Sequence, residues 1–204
     1  MIVLLPFTVV GCKEKEVEVS FDNLSTMLLE FDTAVRPFFS TIELAYAGTE
    51  DSDLLTASTN SIKTLSYEMG ESFKSFNAVL AELESNQSSD VTLTQVEDSI
   101  TIKTSSMEFI SKLSRDGNCM SIISKNSTQE YVYEITKKES GGYYAQIVIK
   151  NEGADNYSIY QINFIGTTGS FNLDMAATGY ISIYKAEVSD SNFPNVSSKI
   201  FKNN

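Results

Sequence analysis

The hydrophobic period of this chain changes once, and that change bounds what it can fold into. Up to about residue 86, apolar side chains recur every three or four positions; from about Ser99 they alternate. A 3.6-residue period suits a helix with one buried face, and a period of two suits a half-buried strand. The chain is therefore expected to be α+β, with an N-terminal antiparallel helix hairpin packed on a C-terminal antiparallel β-meander sheet.

The first helix is expected from Leu24, Leu28, Phe31, Val35, Phe38, Ile42 and Ala45, which fall on one face, with Asp22 as N-cap and Gly48 as C-terminal stop. Pro37 lies inside this pattern. It has no N–H for the carbonyl of Thr33, so a kink or break is expected there. Ala47–Ser52 reads as a short loop. A second helix follows on Ile62, Leu65, Met69, Phe73, Phe76, Leu80 and Leu83, and Asn86–Asp90 ends the hairpin region, residues 21–86.

The alternating half, residues 99–188, predicts eight strands: Ile100–Thr104, Glu108–Ser114, Cys119–Ser124, Glu130–Lys138, Tyr143–Lys150, Tyr157–Ile165, Ser170–Met175 and Tyr180–Ala186. Asp116-Gly117 reads as a two-residue hairpin turn; Ser140-Gly141-Gly142, Asn151-Glu152-Gly153 and Gly166-Thr167-Thr168-Gly169 are the other turn signals. Neither half has a second layer of its own, so one domain over residues 21–188 is expected, with a loose tail at 189–204.

Ahead of that domain, the apolar run Ile2–Val10 leads through Gly11 into Cys12 and then into Lys13-Glu14-Lys15-Glu16. Val9-Val10-Gly11-Cys12 resembles the lipobox of bacterial lipoproteins, over the first dozen residues only. The resemblance implies that residues 1–11 are a signal peptide, cut between Gly11 and Cys12, and that the Cys12 sulfur carries lipid. Residues 12–20 then form a polar tether, and the protein resides in the cell envelope, lipid-anchored on its periplasmic or cell-surface side. No Lys or Arg precedes the run; a start upstream of Met1 would supply one. At about 1.5 Å per residue the run reaches roughly half of the ~30 Å hydrocarbon core, too little to span it as a helix.

Composition removes several functions. The net charge is −12, which opposes nucleic-acid binding, because phosphate contacts need clustered Lys and Arg. Histidine is absent, so Ser-His-Asp triads, Cys-His dyads and His-ligated metal sites are excluded. The chain has 2 cysteines. With Cys12 acylated, Cys119 lacks a partner for a disulfide within the chain, and it reads as a small buried hydrophobe in a strand.

The remaining candidates each have an ordinary explanation. Tyr131, Tyr133, Tyr143, Tyr144, Tyr157, Tyr160, Tyr180 and Tyr184 would make a ligand platform if exposed on one sheet face, but tyrosine is also a good strand former. Tyr131, Tyr133 and Ile135 share a face, as do Tyr143, Ala145, Ile147 and Ile149, and Tyr160, Ile162 and Phe164. That face is core if the helices cover it and a lipid-sized groove if they do not. Glu50, Asp51 and Asp53 lack the spacing of a calcium loop and suit a helix N-terminus; Glu152 and Asp155 fall at a hairpin turn. Glu68 and Glu71 read as a solvated helix face. Ser111-Lys112, Ser124-Lys125 and Ser198-Lys199 are adjacent, and adjacent strand residues point to opposite faces. Gly166-Thr167-Thr168-Gly169 lacks the Lys of a phosphate loop.

The resulting expectation is a membrane-anchored envelope lipoprotein that acts as a non-catalytic structural or interaction module, with no cofactor and no metal, its partners being the membrane through Cys12 and another envelope protein. The alternative is a carrier of a lipid or other apolar ligand, held between helix hairpin and sheet.

Overall fold

The computed structural model describes residues 21–47, 52–85, 91–96, 99–114, 116–151, 156–177, 180–189 and 192–202. Two helices come first, α1 (Phe21–Ala47) and α2 (Ser52–Glu84). Ten strands follow: β1 (Thr92–Val96), β2 (Ser99–Lys103), β3 (Glu108–Leu113), β4 (Cys119–Lys125), β5 (Gln129–Lys137), β6 (Tyr143–Asn151), β7 (Tyr157–Ile165), β8 (Thr168–Ala177), β9 (Tyr180–Ser189) and β10 (Asn192–Lys202). The class is α+β, helices N-terminal and sheet C-terminal. The strands form one sheet in sequence order, every neighbouring pair antiparallel.

The described members of both helical stripes are buried as the period requires, the side chains of Ala45, Leu80 and Leu83 lying outside the described residues. Leu24, Leu28, Phe31, Val35, Phe38 and Ile42 of α1 and Ile62, Leu65, Met69, Phe73 and Phe76 of α2 are buried. They share one continuous apolar cluster with the inward residues of β2 to β9. Aromatic rings join the layers: Phe31 meets Tyr143 edge-on at 5.5 Å, Phe38 stacks on Phe164 at 5.2 Å, Phe73 meets Tyr133 at 5.4 Å and Phe76 meets Phe109 at 5.6 Å. Such pairs add about 0.5–1.5 kcal/mol each beyond the area they bury. Polar contacts support them. Ser25 Oγ donates to Asn77 Oδ1 at 3.0 Å between the helices, and Lys137 Nζ donates to Glu30 Oε2 at 2.8 Å between β5 and α1.

Four sequence readings are corrected. Pro37 does not break α1, which continues through it to Ala47; the missing N–H removes one hydrogen bond while the buried stripe on either side holds the two halves. Asp116-Gly117 is not a two-residue turn. Ser114–Asn118 connects β3 to β4, closed by the Ser114 N–H on the Cys119 carbonyl at 2.8 Å and by the Asn118 N–H on Asp116 Oδ1 at 3.0 Å. Residues 192–202, placed in the loose tail, form β10 on the edge next to β9. Thr92–Val96, left outside the meander, forms β1 on the opposite edge.

Backbone packing is tight at the β7 end. A Cβ on Gly169 would lie 2.0 Å from the Asn163 carbonyl oxygen, and one on Gly142 would lie 2.1 Å from that of Phe164. Both residues have positive φ, 149° and 75°. These two positions let β6 and β8 close on β7 from either side where Phe164 enters the core.

Candidate interaction surface

Alternation decides what each strand shows to solvent. Ile110 of β3 lies between the buried Phe109 and Ser111, so it faces away from the core. The register then carries this orientation across the sheet. Ile110 is opposite Ile123, Ile123 opposite Val132, Val132 opposite Val148, and Val148 opposite Ile159. Five β-branched side chains thus form a row across β3 to β7 on the face turned away from the core. All five are half-buried. At about 4.8 Å between strands the row is roughly 19 Å long.

A charged row runs beside it. Lys103 is opposite Glu108, Glu108 opposite Lys125, Lys125 opposite Glu130, and Glu130 opposite Lys150. Its sign alternates at every strand. Lys103 Nζ lies 3.9 Å from Glu108 Oε1, and Lys150 Nζ 3.3 Å from Glu130 Oε1. Exposed pairs of this kind contribute about 0–1 kcal/mol each, so their main effect is on register, since a one-residue slip would turn the charges toward the core. On the other flank Ser121, Glu134, Gln146, Gln161 and Asn172 follow one another across β4 to β8. The outer face is therefore an apolar band between a charged rail and an amide-rich rail. This is the pattern of an interaction patch, whose centre is apolar and whose rim is polar.

The tyrosines divide between the two faces. Tyr131, Tyr133, Tyr143, Tyr160 and Tyr184 are buried in the core, Tyr144 is half-buried on the outer face and Tyr157 is exposed; the side chain of Tyr180 is outside the described residues. They do not form one platform. Tyr131 donates to Glu68 Oε2 at 2.8 Å, with Gln129 Oε1 at 2.6 Å. Burial holds its phenol well above the usual range, and the Glu68 charge adds to the shift. Glu68 is thus a core-edge acceptor, whereas Glu71 pairs with Lys74 at 3.8 Å on the surface.

The Ser-Lys pairs are separated by the sheet. Ser111 and Ser124 are buried while Lys112 and Lys125 are exposed on the outer side. Side chains of Ser198 and Lys199, Glu50, Asp51, Asp53, Glu152 and Asp155 lie outside the described residues, as do Gly11 and Cys12. Cys119 is half-buried rather than buried, its Sγ 3.5 Å from Thr136 Oγ1. Among the described residues no three Asp, Glu or Cys side chains converge, and no helix is long and apolar enough to cross a membrane.

One hollow lies at the end of the sheet and another between the helices. A groove of about 590 Å³ opens at the β7–β8 turn, lined among others by Asn163, Ile165, Ser170, Glu187 and Val188. Lys138 Nζ donates there to Asn163 Oδ1 at 2.7 Å, and burial lowers the pKa of that ammonium. A smaller one of about 130 Å³ lies between the helices at Leu29, Arg36 and Gly70.

No protein-family model, curated protein or solved structure matches this chain.

The outer rows were not read from the sequence, although alternation along the strand turns Glu130, Val132, Glu134 and Thr136 away from Tyr131. What was missing was the register. It follows from loop lengths, and the β3–β4 connection is longer than its Asp-Gly signal suggests.

Proposed function

We propose that the chain is a cell-envelope lipoprotein, anchored through lipid on Cys12, whose folded part is a non-catalytic interaction module. In this reading α1 and α2 act as an antiparallel hairpin that seals the inner face of the sheet, leaving the outer face to meet a partner. The observation that carries it is the β-branched row Ile110–Ile123–Val132–Val148–Ile159 between two polar rails. The carrier alternative has less support. Ile147, Ile162 and Phe164, which would line its cavity, are 0–1% exposed and belong to the apolar cluster shared with the helices.

Site-specific photo-crosslinking in intact cells tests the module. A photoreactive residue at Val148 is expected to give a discrete adduct, lost when Ile123→Lys places a charge in the row. Monomer alone at every outer-row position would refute the reading. The anchor is tested separately: Cys12→Ser is expected to release the protein from membranes and to abolish labelling with fatty acid.

A further inference from the structure

The groove at the β7–β8 turn has a different charge at each end. The register sets Asn163 of β7 opposite Ser170 of β8, and Ser170 opposite Glu187 of β9. An amide, a hydroxyl and a carboxylate thus lie in one row across three strands, spanning roughly 10 Å at about 4.8 Å per strand. Lys138 reaches the amide end, where its Nζ donates to Asn163 Oδ1 at 2.7 Å. Both turns that frame the groove are braced. The Lys138 N–H donates to the Gly142 carbonyl and the Lys138 carbonyl accepts the Gly141 N–H, each at 3.0 Å, and Thr168 Oγ1 donates to the Ile165 carbonyl at 3.0 Å. Ile165 and Val188 supply apolar wall. The volume of about 590 Å³ falls within the range of about 300–1,000 Å³ usual for ligand sites.

We propose that this groove binds a short peptide with free ends, about three residues long, its carboxylate on Lys138 and Asn163 and its ammonium on Glu187. Lys138 is half-buried, and its ammonium donates to a neutral amide oxygen rather than to a carboxylate. Burial alone lowers its pKa, and a partly desolvated cation gains by meeting an anion. Glu187 is exposed, and its charge repels a simple anion at the other end while favouring an amine. Three extended residues span roughly 10 Å at about 3.3–3.6 Å each, the length of the row. Their main-chain groups suit the Ser170 and Ser189 hydroxyls, and an apolar side chain suits Ile165 and Val188. A sugar fits less well, because the aromatic residue of the described lining, Phe164, is 1% exposed and offers no face for stacking. The site goes beyond the interaction-module reading: Gln161 and Asn172 of the amide-rich rail separate it from the apolar row.

The test is calorimetric titration of the purified full chain with alanyl-valyl-alanine, its C-terminal amide and its N-acetyl form. The free tripeptide is expected to bind saturably, and each capped form at least about tenfold more weakly at low salt. Lys138→Gln should erase the difference between acid and amide while keeping the preference for a free amine. Glu187→Gln should do the reverse. Amide resonances of Asn163 and Ser170 should shift with the free tripeptide. Val148→Lys, which damages only the outer row, should leave tripeptide binding unchanged, so this site can fail while that one stands. Capped forms binding as tightly as the free one, inorganic phosphate or maltose binding the groove more tightly, or no saturation up to about 10 mM would overturn the proposal. So would full discrimination retained in both variants. Should a variant not fold, the capped peptides against the unaltered chain decide alone.

Discussion

Phe38 lies flat on Phe164, ring centroids 5.2 Å apart and planes 9° from parallel. Phe31 reaches the same ring at 6.4 Å and Tyr143 at 5.9 Å. Phe164 is therefore the point where α1, β6 and β7 meet. Truncating a buried Phe removes its transfer energy and leaves a cavity, at a cost of about 3–5 kcal/mol. Phe164→Ala and Phe31→Ala are each expected to destabilise by that amount in urea unfolding. The double variant should cost less than the sum, because both remove one shared contact. Losses under about 1 kcal/mol would mean that the rings are not packed as described.

Glycine positions give a second, signed prediction. Gly169→Ala forces a Cβ to within 2.0 Å of a backbone oxygen that cannot move aside. It is expected to lower stability by at least about 2 kcal/mol, through strain and overpacking. Gly70, in the middle of α2, meets nothing within 4 Å. There alanine should raise stability by about 0.5–1 kcal/mol, since glycine costs that much in a helix. Thermal unfolding of both variants checks the opposite signs. A destabilised Gly70→Ala would show that the small hollow beside Leu29 and Arg36 is occupied.

The helices and the inward strand residues were legible because burial imposes a period, and a period survives in a single sequence. Phe31, Phe76, Tyr133 and Ile147 were all placed on apolar faces, and all are buried. The two edge strands were not legible. β1 is five residues with no buried side chain, so it has no alternation to read. β10 carries Pro194, which argues against a strand unless it lies at an edge. The outer row was illegible for a different reason. Each member is an ordinary strand residue, and only the register places Ile110, Ile123, Val132, Val148 and Ile159 in line.

Ser111 provides a test of the core's polar satisfaction. Its Oγ is buried without a hydrogen-bond partner, between Phe109 and Leu113 on the same face of β3. Leaving a buried hydroxyl unpaired costs about 1–3 kcal/mol. Ser111→Ala is therefore expected to be neutral or stabilising by up to about 1 kcal/mol, whereas Ser→Ala at a well-bonded site would destabilise. A clear loss of stability would reveal a partner for that hydroxyl, such as a bound water.

The buried tyrosines predict how the fold responds to alkali. Burial pushes the Tyr160 phenol up to about 12, only partly opposed by its hydrogen bond with Ser158. Burial likewise drives Tyr133 well above its ordinary value. In the unfolded chain these phenols ionise near 10. A folded pKa above the unfolded one means that the native state holds the proton more tightly. The stability linked to this is fully present below pH about 10 and is lost as pH rises through about 12. Unfolding free energy is thus expected to fall steeply across that window, with the phenolate absorbance of these buried tyrosines rising only as the protein unfolds. Tyr160→Phe removes one linked proton and should flatten the slope there, while its stability at neutral pH changes little because the ring still fills the same space. An unchanged slope in Tyr160→Phe would show that its hydroxyl is open to solvent.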